Sequence, residues 1–297
     1  MKAFWGAISP IEAELYLQAI DPSVSLLGGR IAGPFSEKVQ TLSAEYALRP
    51  CTYEGQETLK VTVSDPCFWA PGSPFLYRAE VLCANEADER KESLHLGICP
   101  LTIHGRDLFH AGRRMVMRIV EAPHAVNDFE GRETLLDSCV ETGSVLLLSN
   151  PEASICARAA QKGVLLVVQI SLSDPQQVIH ALESLSSCPA VGMVILSADL
   201  IFNFPLSGGV ASLIRGMVCD PSSDQKMPAW AQVLIVDENG LQRNDSPIEK
   251  LPQMVSCQID SETPTRVARG LCDDLQRRTV AWPRMAGYIV TSAGTLY

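Results

Sequence analysis

The stretch that decides the fold runs from Asp65 to Val120. It reads DPCFWAPGSPFLYRAEVLC over Asp65–Cys83 and, after a charged gap, LGICPLTIHGRDLFHAGRRMVMRIV over Leu96–Val120. Upstream of it the text is β-like. Thr58–Val63 and Tyr77–Leu82 alternate with period two, which puts one face on a core and one in water. Arg30–Pro34 and Gln40–Leu48 read as further strands, and Ile11–Leu17 as a strand or a short helix. Gly28-Gly29, Gly33-Pro34, Glu54-Gly55 and the Pro71–Pro74 stretch separate them as turns. Leu94–Ile98 is expected to be the last strand of this set, after a polar turn over Asn85–Ser93. Strands so spaced, without helical patterns between them, make a sandwich.

Downstream the grammar changes. Met115–Val120, Val145–Ser149, Val164–Ile170 and Gly192–Ser197 read as strands. Between them lie helical patterns over Arg132–Thr142, Glu152–Lys162 and from Asp174 to Leu185. Gly143 and Gly163 sit where helix ends favour glycine, and Asp174-Pro175 makes a helix start. Val164–Ile170 is apolar on both faces, as in a parallel sheet covered by helices. Val210–Val218 is expected to be helical. Gln232–Val236, Met254–Ile259, Thr279–Trp282 and Tyr288–Thr291 supply further strands, with a helix over Thr265–Arg277. That makes eight strands in βαβ order, hence a parallel sheet, open and doubly wound or closed into a barrel. Only Pro283–Gly287 separates the last two, too short for a crossover helix. The segment is also shorter than the ~250 residues typical of such barrels. A barrel here is compact or incomplete.

These motifs carry a resemblance. Trp69–Tyr77 resembles the W-S-P-x-x-P-x-L-Y segment of glycoside hydrolase family 2, the β-galactosidase, β-mannosidase and β-glucuronidase group. Leu96–Ile98, Leu108–Arg114 and Met117-Arg118 are similar to its G-[FI]-R, L-x-x-N-G-[KR] and x-R-G-V segments. Glu141–Leu148 resembles E-x-G-x-N-x-[IVL]-R, and Ala157–Ile170 resembles C-D-x-x-G-[IL]-L-V-x-x-E. Pro189–Asp199 falls where the family has H-P-S-[IV]-x-x-W-x-x-x-N-E. The likeness covers roughly Gly28 to Leu200. It implies an immunoglobulin-like β-sandwich over residues 1–105, followed by a compact or incomplete (β/α)8 TIM-like barrel over residues 106–297.

The departures from the pattern bear on chemistry. A retaining glycosidase needs a general acid and a nucleophilic carboxylate ~5 Å apart. Where the family's acid motif N-E falls, this chain reads Ala198-Asp199. Asp199 is therefore the candidate acid, one methylene short and beside an Ala that cannot hold a sugar hydroxyl. The N-G of the first-strand loop has become Ala111-Gly112, the Arg after strand two has become Leu148, and the Trp of strand four is gone. The nucleophile belongs at the end of strand seven, and Val280–Pro283, assigned there by strand count, holds no carboxylate. Asp237 and Asp260 follow strands and are candidate substrate contacts. Asp237–Gly240 also reads as a polar turn, and Asp260 as a loop or helix-cap residue. His124 aligns loosely with the His of the family's R-G-V-N-x-H-E and would line the mouth. Trp282 is a candidate for stacking on a sugar ring or for the core.

Composition limits the alternatives. Across 297 residues, 46% are hydrophobic, 20% are charged and the formal charge is −10, an ordinary globular make-up. That charge, with no basic cluster interleaved with aromatics, argues against a nucleic-acid or anionic-membrane partner. The N-terminal segment lacks an apolar signal core, and no apolar run is long enough to span a bilayer. The 10 cysteines are scattered without C-x-x-C and read as reduced, mostly buried thiols of a cytoplasmic protein. His95, His104 and His110 cluster on β text and read as surface or half-buried residues. No motif calls for a metal or cofactor, and phosphate-loop, dinucleotide and serine-hydrolase signatures are absent. The expected function is a non-catalytic carbohydrate-binding or protein-docking scaffold on a glycosidase-like fold. The alternative is an active β-glycosidase with relocated carboxylates.

Overall fold

A computed structural model describes all residues except 86–87, 123–128, 201–207, 220–226, 242–250, 261–262, 283 and 297. The N-terminal part holds β1 (Lys2–Ile8), β2 (Glu12–Gln18), β3 (Ser25–Phe35), β4 (Ala44–Tyr53), β5 (Gln56–Ser64), β6 (Leu76–Ala84) and β7 (Glu89–Leu96). They form one antiparallel ladder in the order β1-β2-β5-β4-β3-β6-β7. The ladder folds over its own core because β4 is shared. Ala44–Leu48 pairs with β3, while Arg49–Tyr53 pairs with β5. Strands that change partners in this way make the corners of sandwich-like folds. Leu15, Leu17, Ile31, Leu59, Val63, Ala79 and Val81 fill the space between. The period-two strands bury the alternate residues expected of them. Ile11–Leu17 resolves as strand, and β7 begins at Glu89, so the polar turn before it is shorter than the composition indicated.

A small antiparallel sheet follows, β8 (Leu101–His104), β9 (Asp107–His110) and β10 (Arg113–Met115). Leu101 and Leu108 join the core of the C-terminal part. That part is a closed parallel barrel of eight strands, which excludes the open doubly wound sheet. In chain order it contains β11 (Met117–Glu121), α1 (Phe129–Thr142), β12 (Val145–Ser149), α2 (Ala153–Lys162), β13 (Leu166–Ile170), α3 (Pro175–Ser186) and β14 (Val191–Leu196). It continues with β15 (Ile214–Cys219), β16 (Val233–Asp237), the short α4 (Glu238–Leu241), β17 (Gln253–Ile259), α5 (Thr265–Arg278) and β18 (Gly287–Ser292).

Two expectations are corrected here. Val210–Val218 is not a helix: a 3-10 turn at Gly208–Ser212 leads into β15. Val210, Leu213, Ile214 and Met217 fit the i, i+3, i+4, i+7 helix pattern, yet Ile214, Gly216 and Val218 also alternate, and the barrel selects the second reading. Gly216 faces Met193 and Ile235 across the interior, where a Cβ would stand 3.5–3.6 Å from their side-chain atoms. Thr279–Trp282 is not a strand. It is the turn that ends α5, with Thr279 N–H and Oγ1 both donating to Leu275 O at 3.0 and 2.8 Å. The strand number stays at eight, and α5 is the crossover between the last two, so the short-loop objection disappears.

Helices cover β11–β14 and the β17–β18 crossover. Around β15 and β16, α4 is the only α-helix among the described residues. There Trp230 takes over part of the covering. It is buried, and its indole N–H donates to Leu200 O at 2.9 Å. The buried Arg215 ties this layer to the strand through the carbonyls of Trp230, Val210 and Leu213. Burial pushes its guanidinium pKa down.

The two parts are bolted together by the motif stretch. Trp69 is fully buried, and its indole N–H donates to Ala160 O near the end of α2 at 2.8 Å. Its backbone N–H donates to Ile98 O, and His110 Nε2 lies 2.9 Å from its carbonyl. Burial pushes the His110 imidazole pKa down, partly offset by that carbonyl. Gly97 meets Pro189 so closely that a Cβ would sit 2.6 Å from the proline Cβ. Gly163, left-handed at φ 73°, lets the end of α2 approach Gly72 and Pro74.

Candidate site at the barrel mouth

Side-chain direction in the barrel follows from register. Arg118 bonds Asp273 and Gln276 of α5, so it points outward and its neighbours Met117 and Ile119 point inward. Carried round the ladder, the same alternation puts Val145, Leu147, Val167, Met193, Ile195, Val233, Ile235, Met254 and Ile289 inside. These fill the barrel as a packed core, as this architecture requires. The last inward positions, at the strand C-terminal ends, are Glu121, Ser149, Gln169, Val218, Asp237, Gln258 and Thr291, with Ser197 just beyond β14. This ring is mainly polar, and the C-terminal end is where barrels of this class place their sites.

Part of the ring is already engaged. Beyond β18 the chain crosses the mouth as a strap. Ser292 N–H donates to Glu121 Oε2 at 2.5 Å and Thr295 Oγ1 donates to Glu121 Oε1 at 2.8 Å. Gln169 Nε2 donates to Thr295 O at 2.7 Å, and Leu296 is buried. Ser149 Oγ donates to Gln169 Oε1 at 3.3 Å, which completes a chain of bonds from β11 to β13.

Beside the strap lies a cavity of about 620 Å³. Gln169, Ser171, Ser173, Ser197 and Asp199 supply its polar wall, and Leu172, Val218 and Leu296 part of its apolar one. This volume falls in the range of small-molecule sites. Asp199 is exposed, and its backbone N–H donates to Ser197 Oγ at 3.4 Å. Among the described lining residues it is the one carboxylate.

The other candidates are dispersed. Asp237 points inward from β16, and its Oδ1 accepts from Asn239 N–H at 2.8 Å, which makes the polar turn. Asp260 is exposed past the end of β17, where its carbonyl accepts from Thr263 N–H and Oγ1 at 3.1 and 2.8 Å. It is a loop residue: α5 has Pro264 at its N-cap. Trp282 lies on the return from α5 to the start of β18, half-buried against the core and away from the strand C-terminal ends. The expected placement beside a sugar site is therefore corrected. It failed because Thr279–Trp282 was counted as a strand. His124 lies outside the described residues. With the strands recounted, the seventh is β17, not Val280–Pro283, and its last inward residue is Gln258. Glu121 and Gln258 escaped sequence reading. Glu121 sits at the C-terminal end of an apolar strand, the one signal that could have found it.

His95 and His104 are exposed and His110 is half-buried. Among the described residues no cluster of three or more His, Cys, Asp or Glu side chains is arranged to hold a metal ion. None of their helices is long and apolar enough to cross a membrane.

By sequence, the chain matches no protein-family model and no curated protein. Solved structures are more informative. The chain is similar to a β-D-glucuronidase from Dictyoglomus thermophilum, at 11% identity and TM-score 0.63, covering 97% of this chain and 61% of that one. It is similar to a glycosyl hydrolase family 2 member from Bacteroides cellulosilyticus, at 14% identity and TM-score 0.63, with coverages of 98% and 43%. A Bifidobacterium dentium β-glucuronidase complexed with coumarin-3-O-glucuronide gives 10% identity and TM-score 0.62, with coverages of 97% and 59%. This chain thus has the fold of the sandwich-plus-barrel part of those enzymes and spans about half of their length.

Proposed function

We propose that this chain is a non-catalytic, glycoside-hydrolase-family-2-like protein whose barrel mouth binds a carbohydrate or docks a protein. The reading rests on one observation. Among the described residues that line the mouth cavity there is a single carboxylate, Asp199, while the inward position at the end of strand seven is an amide, Gln258. Double displacement needs a carboxylate nucleophile opposite an acid ~5 Å away. An amide cannot form the glycosyl ester. Asp199 still offers a strong acceptor, and Gln169, Ser171, Ser173 and Ser197 offer neutral donors and acceptors, a set suited to hydroxyl groups. The similar structures named as glucuronidases favour a sugar as the first ligand class to test. The immunoglobulin-like character of the sandwich and the division near residue 105 belong to the same reading. Ten free cysteines suit a reducing compartment such as the cytoplasm.

A second reading has its own support. Glu121 and Asp237 both point into the mouth and could serve as a relocated pair in an active β-glycosidase. They lie three strands apart around the ring, with β18 and β17 between them. Strands four and seven, where the resemblance puts the acid and the nucleophile, are the same interval apart, but Glu121 is held by the strap through Ser292 N–H and Thr295 Oγ1.

The deciding experiment is hydrolysis of a panel of aryl β-glycosides by the purified chain, beside Asp199→Asn, Glu121→Gln and Asp237→Asn. No turnover above buffer, with saturable binding of a glycoside that Asp199→Asn weakens, is the expected result. Turnover abolished by any of the three substitutions overturns the non-catalytic reading and identifies the group responsible.

A further inference from the structure

Away from the mouth, three thiols gather where the sandwich meets the barrel. Cys156 lies on α2, Cys188 follows Ser187 at the end of α3, and Cys99 lies just beyond β7. The Cys188 thiol donates to Cys156 O at 3.4 Å, which sets the two residues side by side. Both face a cavity of about 260 Å³ between α2 and the end of α3. Cys188 also lines the opposite side of that wall, a cleft of about 450 Å³ shared with Cys99, Trp5 and Gln232. Cys188 is the half-buried residue of the pair and Cys156 the buried one.

We propose that Cys188 is an oxidant-reactive modification site, and that Cys156 resolves it into an intramolecular disulfide when the oxidant is hydrogen peroxide. Electrostatics separate Cys188 from its neighbours. A hydrogen bond from the Cys156 thiol lowers the Cys188 pKa against the cost of burial, helped by the N–H groups of Ala190 and Val191. The same hydrogen bond, followed by burial, raises Cys156. Burial pushes Cys99, Cys139 and Cys272 up to about 12, which keeps them as inert thiols near neutrality.

The chemistry balances in two steps. The Cys188 thiolate attacks one peroxide oxygen, the O–O bond breaks, and hydroxide leaves and takes up the proton released on ionisation. Cys188 is now a sulfenic acid. Cys156 then gives up its proton and attacks the Cys188 sulfur. The S–S bond forms, the S–O bond breaks, and the hydroxyl departs with that proton as a second water. Two thiols lose two electrons and one peroxide becomes two waters. The new bond would tie α2 to the turn before β14, beside the Pro189–Gly97 contact that seats the sandwich.

The test is peptide mapping of the full reduced chain after stoichiometric peroxide, with remaining thiols alkylated before digestion under non-reducing conditions. The expected product is a linked pair of peptides containing Cys156 and Cys188. In Cys156→Ser the second step is lost, so dimedone should label Cys188 as the main oxidised product. In Cys188→Ser, Cys156 should stay reduced. A Cys99–Cys188 link overturns the assignment. So does oxidation of the half-buried Cys51 or Cys67 while Cys188 stays reduced, or the absence of any linkage. The wild-type map needs no variant to fold, so a destabilised mutant cannot shield the proposal.

Discussion

The joint between sandwich and barrel and the mouth of the barrel are built to different standards. At the joint, Trp69 is fully enclosed and hydrogen-bonded, Gly97 and Gly163 permit backbone approaches that no side chain would, and His110 closes the Trp69 carbonyl. At the mouth, one strap is held by Glu121 and Gln169, Asp199 is exposed, and the exposed Asp260 belongs to a loop. Trp69, Gly97 and Gly163, which lie in the segments that carry the sequence resemblance, stand at the joint. The contrast separates two demands on one chain: packing constraints act on the joint whatever the protein does, while the mouth is constrained only by the chemistry it performs.

Trp69→Ala is the strongest way to break that comparison. It removes a fully buried indole and leaves Ala160 O without its donor, so unfolding free energy should fall by about 3–5 kcal/mol. Asp199→Asn at the exposed mouth should change it by no more than about 0.5 kcal/mol. Urea unfolding of both variants measures the difference. Equal losses would mean that the mouth is packed as tightly as the joint.

Gly97→Ala comes next. The added Cβ collides with Pro189, a rigid ring on the barrel side, and the strain should cost about 1–3 kcal/mol. A loss much smaller than this, seen in the same unfolding curves, would show that the sandwich can shift on the barrel without penalty.

A third effect is confined to acid. Glu133 of α1 pairs with Arg158 of α2 through both oxygens, at 2.8 and 3.0 Å, and with Lys162 at 2.9 Å. Lys162 O in turn accepts from Lys38 of the sandwich at 2.7 Å. The Arg158 guanidinium, then the Lys162 ammonium, hold the Glu133 carboxyl at about 2, below its ordinary 4.5. A folded pKa below the unfolded one means stability that is present above about pH 4.5 and lost as pH falls toward 2. Unfolding midpoints of Glu133→Gln across that window should fall less steeply than those of the wild type. Parallel curves would remove this network from the account.

How much of this was legible in the sequence depends on what each residue reports. Turn residues, alternation in Thr58–Val63 and the apolar run of Val164–Ile170 report local geometry, and they place the sandwich and most barrel strands. Val210–Val218 fits two periods at once, and only pairing with β14 and β16 decides between them. Thr279–Trp282 has strand-like residues but ends a helix, because Thr279 completes hydrogen bonds that no composition rule reveals. Reading β15 as a helix moved the strand count and hid Gln258 as the end of strand seven, and the false strand placed Trp282 near a site it does not approach. Glu121 was invisible for another reason. Its role depends on a strap more than 170 residues away in the chain, and such contacts leave no local pattern.

That strap supplies a modest effect on stability and the sharpest test of the contrast. Glu121 accepts from Ser292 N–H and Thr295 Oγ1, while Leu296 adds apolar burial on this side. In Glu121→Ala both donors lose their acceptor; the half-buried Thr295 hydroxyl can turn to water, whereas Ser292 is buried. Global stability should fall by about 1–2 kcal/mol, between the net worth of a hydrogen bond and the cost of a buried donor left unpaired. The local change should be larger: amide exchange of Ser292 and of residues 293–296 should speed up, while the amides of Trp69 and Ile98 keep their protection. A mouth that opens alone would be a surface free to change its ligand without disturbing the fold. If exchange at Trp69 rises together with the strap, the two regions belong to one cooperative unit, and the distinction drawn between them fails.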